Sequence, residues 1–598
     1  MADDDRRALA ERVIDRFEAR VEPAFDTLRA QVVHNDLTLD NVLMDNSRVS
    51  GIVDFDDMTY TALVCDLVMP LASVMYRRDD PIKAAQQVVR GYVSVTSLEE
   101  EEIRLLGDLV AARLVTWGVI VAWRRDEHPE KTDHTTAGVD DGWALLRTLE
   151  ELGPAVVRRR LRSAARAGDV PSPRMETAEL RARRREVMGS SPLSYRDSVH
   201  FIDGEGVWLV DTSGERYLDA YNNVQVVGHG NATVADAISA QARTLATNTR
   251  YLHESVVVLS ERLLETLPDG FDRVFLVNSG SEANDLAWRL ATTATDREGA
   301  VVSEYAYHGI TEATVALSPA VWPDEDGPAH VETVPPPADR SLRRKTARDS
   351  LEGMEQATAG LEQRGHGTAA FVSDSLFTSD GILPPDGERL RGMARQVRDA
   401  GGLIVADEVQ SGHGRTGVDL WGFRAASVVP DIVTMGKPIG NGYPVAAVAT
   451  SSDLVAPLMD RTGLFSTFGG NPVSSVAALA VFDVIEDRRL VEHTRDVGAY
   501  LGTGLADVAA EHDLIGDVRR RGLMIKVELL REREPWTPAP RATEEVVNKL
   551  RQRQVLVGSA GEHGNVLKIR PPLVFERPHA DRLLEALDAV LGEVEEGA

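Results

Sequence analysis

Lys437 stands in the run Ile432, Val433, Thr434, Met435, Gly436, Lys437, Pro438, Ile439, Gly440, an apolar strand that breaks into a tight Gly-Pro setting around a lysine. Upstream, Val405, Ala406, Asp407, Glu408 ends a second apolar strand on an acid. A lysine amine condenses with an aldehyde, and a carboxylate on the neighbouring strand end can keep a ring nitrogen protonated. Pyridoxal phosphate needs that combination, because it withdraws electrons only while its pyridine nitrogen carries a proton. Lys437 is therefore the expected Schiff-base residue and Asp407 the expected partner of the ring nitrogen.

Three further runs fit the same chemistry. Val274 to Val277 leads into Asn278, Ser279, Gly280, Ser281, Glu282, Ala283, Asn284, after which Leu286, Ala287 and Leu290 fall on one helical face. A turn of small residues at a helix start binds anions, since free backbone N–H groups and the helix dipole both face the ligand. Ala306, Tyr307, His308, Gly309 supplies an aromatic able to stack on a pyridine ring. Ser466, Thr467, Phe468, Gly469, Gly470, Asn471, Pro472 supplies a hydroxyl for a phosphate.

With these runs in that order, residues from about 177 to 598 resemble the class-III aminotransferase family of fold-type I PLP enzymes. The resemblance implies an α/β fold: a mostly parallel sheet with helices on both faces and a smaller α+β C-terminal domain. It implies Lys437 as the cofactor lysine, Asp407 on the pyridine nitrogen, Val409 packed on the ring and Gln410 near its 3-hydroxyl. Ser279, Gly280 and Ser281 would hold the phosphate, with Tyr307 and His308 beside the ring. Thr467 would reach the phosphate of a neighbouring subunit's cofactor, so a homodimer with shared sites is expected.

Within that family, Tyr217 to Gly230, Asn248 to Glu254, Asn278 to Ala291, Gly436 to Ala446 and Asn565 to Phe575 are similar to the branch acting on O-phosphorylated amines, the phosphoethanolamine and phosphohydroxylysine phospholyases. Lys568 sits where many transaminases carry an arginine near the substrate carboxylate, and Ser373, Asp374, Ser375 replaces their Glu-Pro pair. Arg250, Lys568 and Asn223 are the candidate substrate residues. Gly230, Asn231, Ala232 after His229 depart from the usual His-Pro at the substrate entrance. Phosphate leaves readily from a carbon next to a PLP-stabilised carbanion, whereas hydroxide does not. The expected reaction is thus elimination of phosphate and ammonia to an aldehyde. Transfer of an amino group between an amine and a 2-oxo acid is the alternative, and a non-catalytic scaffold a minor one.

A second constellation lies near the start of the chain. His34, Asn35, Asp36, Leu37, Thr38, Leu39, Asp40, Asn41 is followed by Asp54, Phe55, Asp56, the spacing of a phosphotransfer catalytic loop in which an Asp orients the hydroxyl and Asn and Asp hold metal. The segment resembles the aminoglycoside and choline phosphotransferases, in their hydroxylysine-kinase-like branch, with His34, Asp36, Asn41 and Asp54 as the matching positions. Only 33 residues precede His34, the first glycine is Gly51 and the first lysine is Lys83. The glycine-rich cover and the lysine that ATP phosphates need are therefore not expected here. The lobe is expected to be a scaffold or remnant with no active metal site.

Length alone, 598 residues, calls for more than one domain. The expected division is a mainly helical partial kinase lobe at 1–165, with a hairpin around Asn41 to Phe55. A linker at 166–176 follows, then the class-III fold at 177–598, with a large domain at about 236–485 and a small one at about 486–598. Lys and Arg number 66 against 94 acids, a net charge of −28 that repels nucleic acid. No uninterrupted apolar run approaches a membrane span. The charged start and the lone Cys65 suggest cytoplasm, and exclude an intramolecular disulfide.

Overall fold

Residues with β-branched and small apolar side chains on both faces form strands that helices cover from both sides, and a sheet of this kind organises the larger part of the protein. The computed structural model describes residues 2–45, 48–76, 78, 80–127, 139–165, 175–189, 193–213, 215–323, 327–338 and 349–596. The chain divides into two units, Met1–Arg174 and Met175–Ala598. Residues 166–174 of the expected linker lie outside the described residues, as do Asn46 and Ser47 at the hairpin tip.

The first unit is mainly helical. Helices Ala2–Arg20, Cys65–Met75, Pro81–Val93, Glu100–Glu127, Val139–Leu152 and Pro154–Ala165 share one apolar core that includes Leu67, Leu71, Leu105, Leu106 and Leu146. Buried Asp108 draws Arg16 (3.0 Å) and Arg20 (3.2 Å) from the first helix onto the long one. One segment, Glu101–Arg124, is long and apolar enough to cross a membrane by length and composition; 61% of its most apolar window is buried, as in the core helix of a folded unit. The expected hairpin forms, Val42–Asp45 against Arg48–Ile52. A second antiparallel pair, Ala30–Val33 with Thr59–Ala62, was not expected, since its partners lie far apart in the chain and Val32 and Tyr60 face outward.

The second unit is built on a seven-stranded sheet. Its strands run in the order Val331–Val334, Gly299–Ser303, Thr368–Asp374, Leu403–Asp407, Ile432–Met435, Ala446–Thr450 and Arg273–Val277. All neighbours are parallel except Ala446–Thr450, which is antiparallel to both of its own. The carboxyl ends of the parallel strands therefore point one way, towards Asn278, Glu304, Asp374, Asp407 and Gly436. Ligands bind outside the carboxyl ends of such strands.

The small C-terminal layer differs from the expected division at 485/486. Its sheet of Ile515–Arg521, Met524–Glu532, Val566–Ile569 and Gly558–Ala560 shares a core with Val207, Leu218, Val226 and Val234. Arg216–Asp219 pairs in parallel with Val555–Leu556. Both ends of the unit thus complete one layer, a pairing between distant segments that periodicity along the chain does not reveal.

Candidate active site

Asp407 is the best-supported side chain of the site. Its Oδ2 accepts from Asn284 Nδ2 (2.9 Å) and from His308 Nδ1 (2.8 Å), while Oδ1 accepts from Val409 N (3.0 Å). A carboxylate only accepts, so the His308 proton sits on Nδ1. Burial by itself would raise the Asp407 pKa; the His308 hydrogen bond and charge, the Val409 N–H and the Lys437 charge outweigh it and hold the carboxyl below its usual range. Asn284 is fixed in turn, donating to His308 O (2.8 Å) and accepting from Thr434 Oγ1 (2.6 Å). The strand ends at 407 and 434, the helix Gly280–Thr295 and the loop at 308 are tied around one charge.

Lys437 follows the next strand, with Gly436 and Pro438 turning the chain into a short 3-10 helix. Its φ of 21° is unusual for a residue with a side chain. Such strain persists where surroundings impose it and clusters at functional sites. Its side chain surface is open, yet desolvation is the strongest influence on it and lowers its pKa, with Arg570 adding to that and Asp407 and Asp374 opposing it. Open surface inside a crowd of protein atoms describes a side chain lining an internal cleft.

The helix start packs tightly against both strand ends. A Cβ at Gly280 would meet Val409 Cγ2 at 2.9 Å, and one at Gly436 would meet Gly280 Cα at 3.2 Å. Only glycine admits that approach. Ser279 caps the helix, accepting from Glu282 N (3.2 Å), and Ser281 Oγ accepts from Ile310 N (3.2 Å), which keeps its own proton free for an anion. Tyr307 is partly exposed and His308 buried.

The family model described as Aminotransferase class-III matches residues 194–591. The chain belongs to the class-III aminotransferase family. A phospholyase from Arthrobacter, solved in complex with phosphoethanolamine, is 41% identical and covers 69% of this chain and 99% of its own, with a TM-score of 0.66. A Drosophila melanogaster relative named alanine–glyoxylate aminotransferase 2-like is 38% identical over 70% of this chain and 88% of its own. A Caenorhabditis elegans relative named ethanolamine-phosphate phospho-lyase homolog 1 is 35% identical over 69% of this chain and 93% of its own. Residues 2–106 match a second model, Phosphotransferase enzyme family.

Class-III enzymes are PLP-dependent, and the residues present fit the cofactor. An open-surfaced lysine lies within electrostatic reach of a charged carboxylate that accepts three hydrogen bonds. Gly280 and Gly436 let the helix start close on Val409 and the strand end where a Cβ would clash, and buried His308 Nε2 has no partner among the described residues. Lys437 would hold the aldehyde carbon, Asp407 the ring nitrogen, and the Ser279–Ser281 turn the phosphate. His308 supports Asp407 through its Nδ1–H.

The other expected residues have these contacts. Gln410 donates to Thr378 Oγ1 (2.6 Å) and accepts from Arg570 Nη1 (2.5 Å), so its carboxamide is engaged at both ends, with one N–H and one lone pair left for a third group. Asn223 donates to Gln410 O (3.1 Å), and its buried Oδ1 has no partner among the described residues. Arg250 lies over the Phe465 ring (3.8 Å), and no ion pair joins it to the Lys437 group among the described residues. Thr467 is exposed next to Ser466, whose hydroxyl accepts from Asn278 Nδ2 (3.3 Å). Sequence reasoning passed over Asn284, Thr378 and Arg570. Asn284 was findable, one helical turn past Gly280 and so on the same face; the other two had no local signal.

The departure after His229 has a structural cause. His229 pairs with Asp219 (2.7 Å) and exchanges backbone hydrogen bonds with Gly206. Gly230 then has φ of 58°, and Gly204 O lies 2.5 Å from where its Cβ would be. In the first unit, Asn41 donates to Asp36 Oδ2 (3.2 Å) and His34 Nε2 lies 3.1 Å from Val53 O. Asn35 and Asp54 both carry positive φ, at 64° and 65°. No metal-holding group of three or more His, Cys, Asp or Glu occurs among the described residues.

Proposed function

We propose that this class-III enzyme is a phospholyase that eliminates phosphate and ammonia from an O-phosphorylated amino alcohol or amino acid, leaving an aldehyde. The observation that carries the reading is the 41% identity, across 99% of its length, to a phospholyase solved with phosphoethanolamine. The bound cofactor supplies an electron sink for the carbon bearing the substrate nitrogen. Lys437, biased towards its neutral form by burial, takes the proton from that carbon as general base. Asp407, held ionised by His308 and Val409, sustains the charge at the ring nitrogen. Phosphate leaves from the adjacent carbon with the C–O electron pair, and the released enamine takes up water to give aldehyde and ammonia.

Transamination is the second reading, favoured by the 38% identity to a relative named as an aminotransferase. Holoenzyme given phosphoethanolamine without any 2-oxo acid decides between them. The lyase releases phosphate, ammonia and acetaldehyde in equal amounts over many turnovers; a transaminase releases no phosphate and turns over an amine only when a 2-oxo acid is added. The proposal includes a homodimer. Tyr251, Leu252, Phe465 and Phe468 expose large apolar surfaces around Thr467 and Arg250, as an interface would. Sedimentation of the holoenzyme as a monomer would remove that part.

A further inference from the structure

Strand Thr368–Asp374 ends on an acid, and its parallel register sets Asp374 opposite Asp407. The Asp374 carboxylate turns back onto its own loop. Oδ1 accepts from Leu376 N (2.9 Å), and Oδ2 accepts from Thr378 N (3.1 Å) and from the Thr378 hydroxyl. Phe377 and Ile382 in this loop carry positive φ, 47° and 56°, conformations that persist in residues with side chains only where contacts impose them. Here Ile382 N bonds Phe377 O (3.1 Å) and Leu383 N bonds Leu376 O (2.9 Å). Asp380 adds an anchor on the neighbouring strand, accepting from Ser303 Oγ (2.6 Å) and Tyr305 N (2.9 Å). Thr378, fully buried, is thereby held against Gln410.

The direction of each hydrogen bond in this group follows from its chemistry. A guanidinium only donates, so Gln410 turns Oε1 to Arg570 and Nε2 to Thr378. The Thr378 oxygen must then accept from Nε2 (2.6 Å), and its one proton goes to Asp374. Donors thus point one way along Arg570, Gln410, Thr378 and Asp374, an order in which each bond polarises the next. Turning the carboxamide over would set its NH2 against the guanidinium and leave a single Thr378 proton to serve two acceptors. The Gln410 backbone is held as well, its carbonyl accepting from Asn223 Nδ2 (3.1 Å).

We infer that Thr378 is a positioning residue for the cofactor: it locks the Gln410 carboxamide the one way round that offers a free Nε2–H to the ring's 3-oxygen, the group expected near Gln410. Asp374 completes the lock by fixing the Thr378 proton, which is what the acid in the run Ser373, Asp374, Ser375 contributes. The inference goes beyond the phospholyase reading and holds for a lyase or a transaminase alike, because each needs the ring held in one place. A donor preorganised for the 3-oxygen costs no reorientation when the cofactor enters.

The test reconstitutes the full chain with pyridoxal phosphate and with 3-deoxypyridoxal phosphate, which lacks only the oxygen in question. Thr378→Val keeps the shape of the side chain and removes its hydroxyl. It is expected to raise the dissociation constant for pyridoxal phosphate by about three- to tenfold, the loss of one neutral hydrogen bond, and to leave that for the deoxy analogue within about twofold of wild type. Thr378→Ser restores the hydroxyl and is expected to recover the affinity for pyridoxal phosphate. Thr378→Ala serves as the second variant should Thr378→Val fold poorly. Equal weakening of both ligands would mean that Thr378 only shapes the loop, and unchanged binding of both would mean that Gln410 needs no lock; either result overturns the inference. Binding is read without turnover, so a wild-type enzyme that releases no phosphate from phosphoethanolamine would remove the phospholyase reading and leave this comparison to decide the role of Thr378.

Discussion

Replacing Asp407 by asparagine preserves shape and removes charge, and the contacts around that carboxylate set the cost. Asparagine has one acceptor oxygen where aspartate has two. With that oxygen on Val409 N, its amide NH2 meets Asn284 Nδ2, now at 2.9 Å from Oδ2, and His308 Nδ1, now at 2.8 Å. His308 can adapt by moving its proton to Nε2, which has no other partner among the described residues. Asn284 cannot turn over, because its oxygen accepts from Thr434 and its nitrogen donates to His308 O. One charge-assisted hydrogen bond is therefore lost and one donor is left buried against another, a cost of about 1.5–3 kcal/mol. The same energy withdrawn from the transition state lowers kcat by about ten- to a hundredfold, and loss of the charge at the ring nitrogen adds to it. Urea unfolding of the holoenzyme and steady-state kinetics on phosphoethanolamine measure the two effects. A variant with kcat within threefold of wild type and an unchanged unfolding midpoint would refute the role of Asp407 and the network behind it.

Asp36→Ala is expected to leave turnover at the PLP site unchanged, and the 598-residue chain to hydrolyse no MgATP; ATP hydrolysis abolished by that substitution would show a working phosphotransfer site. Gly230→Ala is expected to destabilise the protein by at least about 1–2 kcal/mol, since φ is 58° and Gly204 O blocks the new Cβ; an unchanged urea midpoint would contradict the packing at that loop. His512 contacts Glu595 (2.7 Å) and Asp588 (2.9 Å); burial lowers its pKa, but the two carboxylates outweigh this and leave it above 6.5. The folded protein then binds the extra proton, so His512 contributes stability fully below pH 6.5 and loses it as pH rises through the folded pKa. The stability gap between wild type and His512→Gln should shrink over that rise, and a gap that widens would reverse the assignment.

The sequence made Lys437, Asp407 and the Ser279–Ser281 turn legible because each is a local break in a strand pattern: an apolar run, then a turn residue with a job. The sheet order was legible only as a class. Nothing in the runs at 273 and 446 says that one lies antiparallel between the other and Ile432–Met435. Arg570 went unread for a related reason. Its meaning comes from Gln410 and Tyr221, residues far off in sequence, and an arginine two places after a lysine in a strand looks like surface cover until burial is known. Arg250 shows the reverse, a motif residue whose contact turns out to be the Phe465 ring.

Borohydride reduction of the holoenzyme followed by peptide mapping tests the central claim most directly, because among the described residues of the second unit Lys437, Lys526 and Lys568 have their pKa lowered by burial. Of the three, Lys437 follows the strand that pairs in parallel with the one ending at Asp407, and its charge acts on that carboxylate. The account predicts a single phosphopyridoxyl adduct on Lys437, absent from Lys437→Ala. An adduct on Lys526 or Lys568 in the wild-type protein would contradict it.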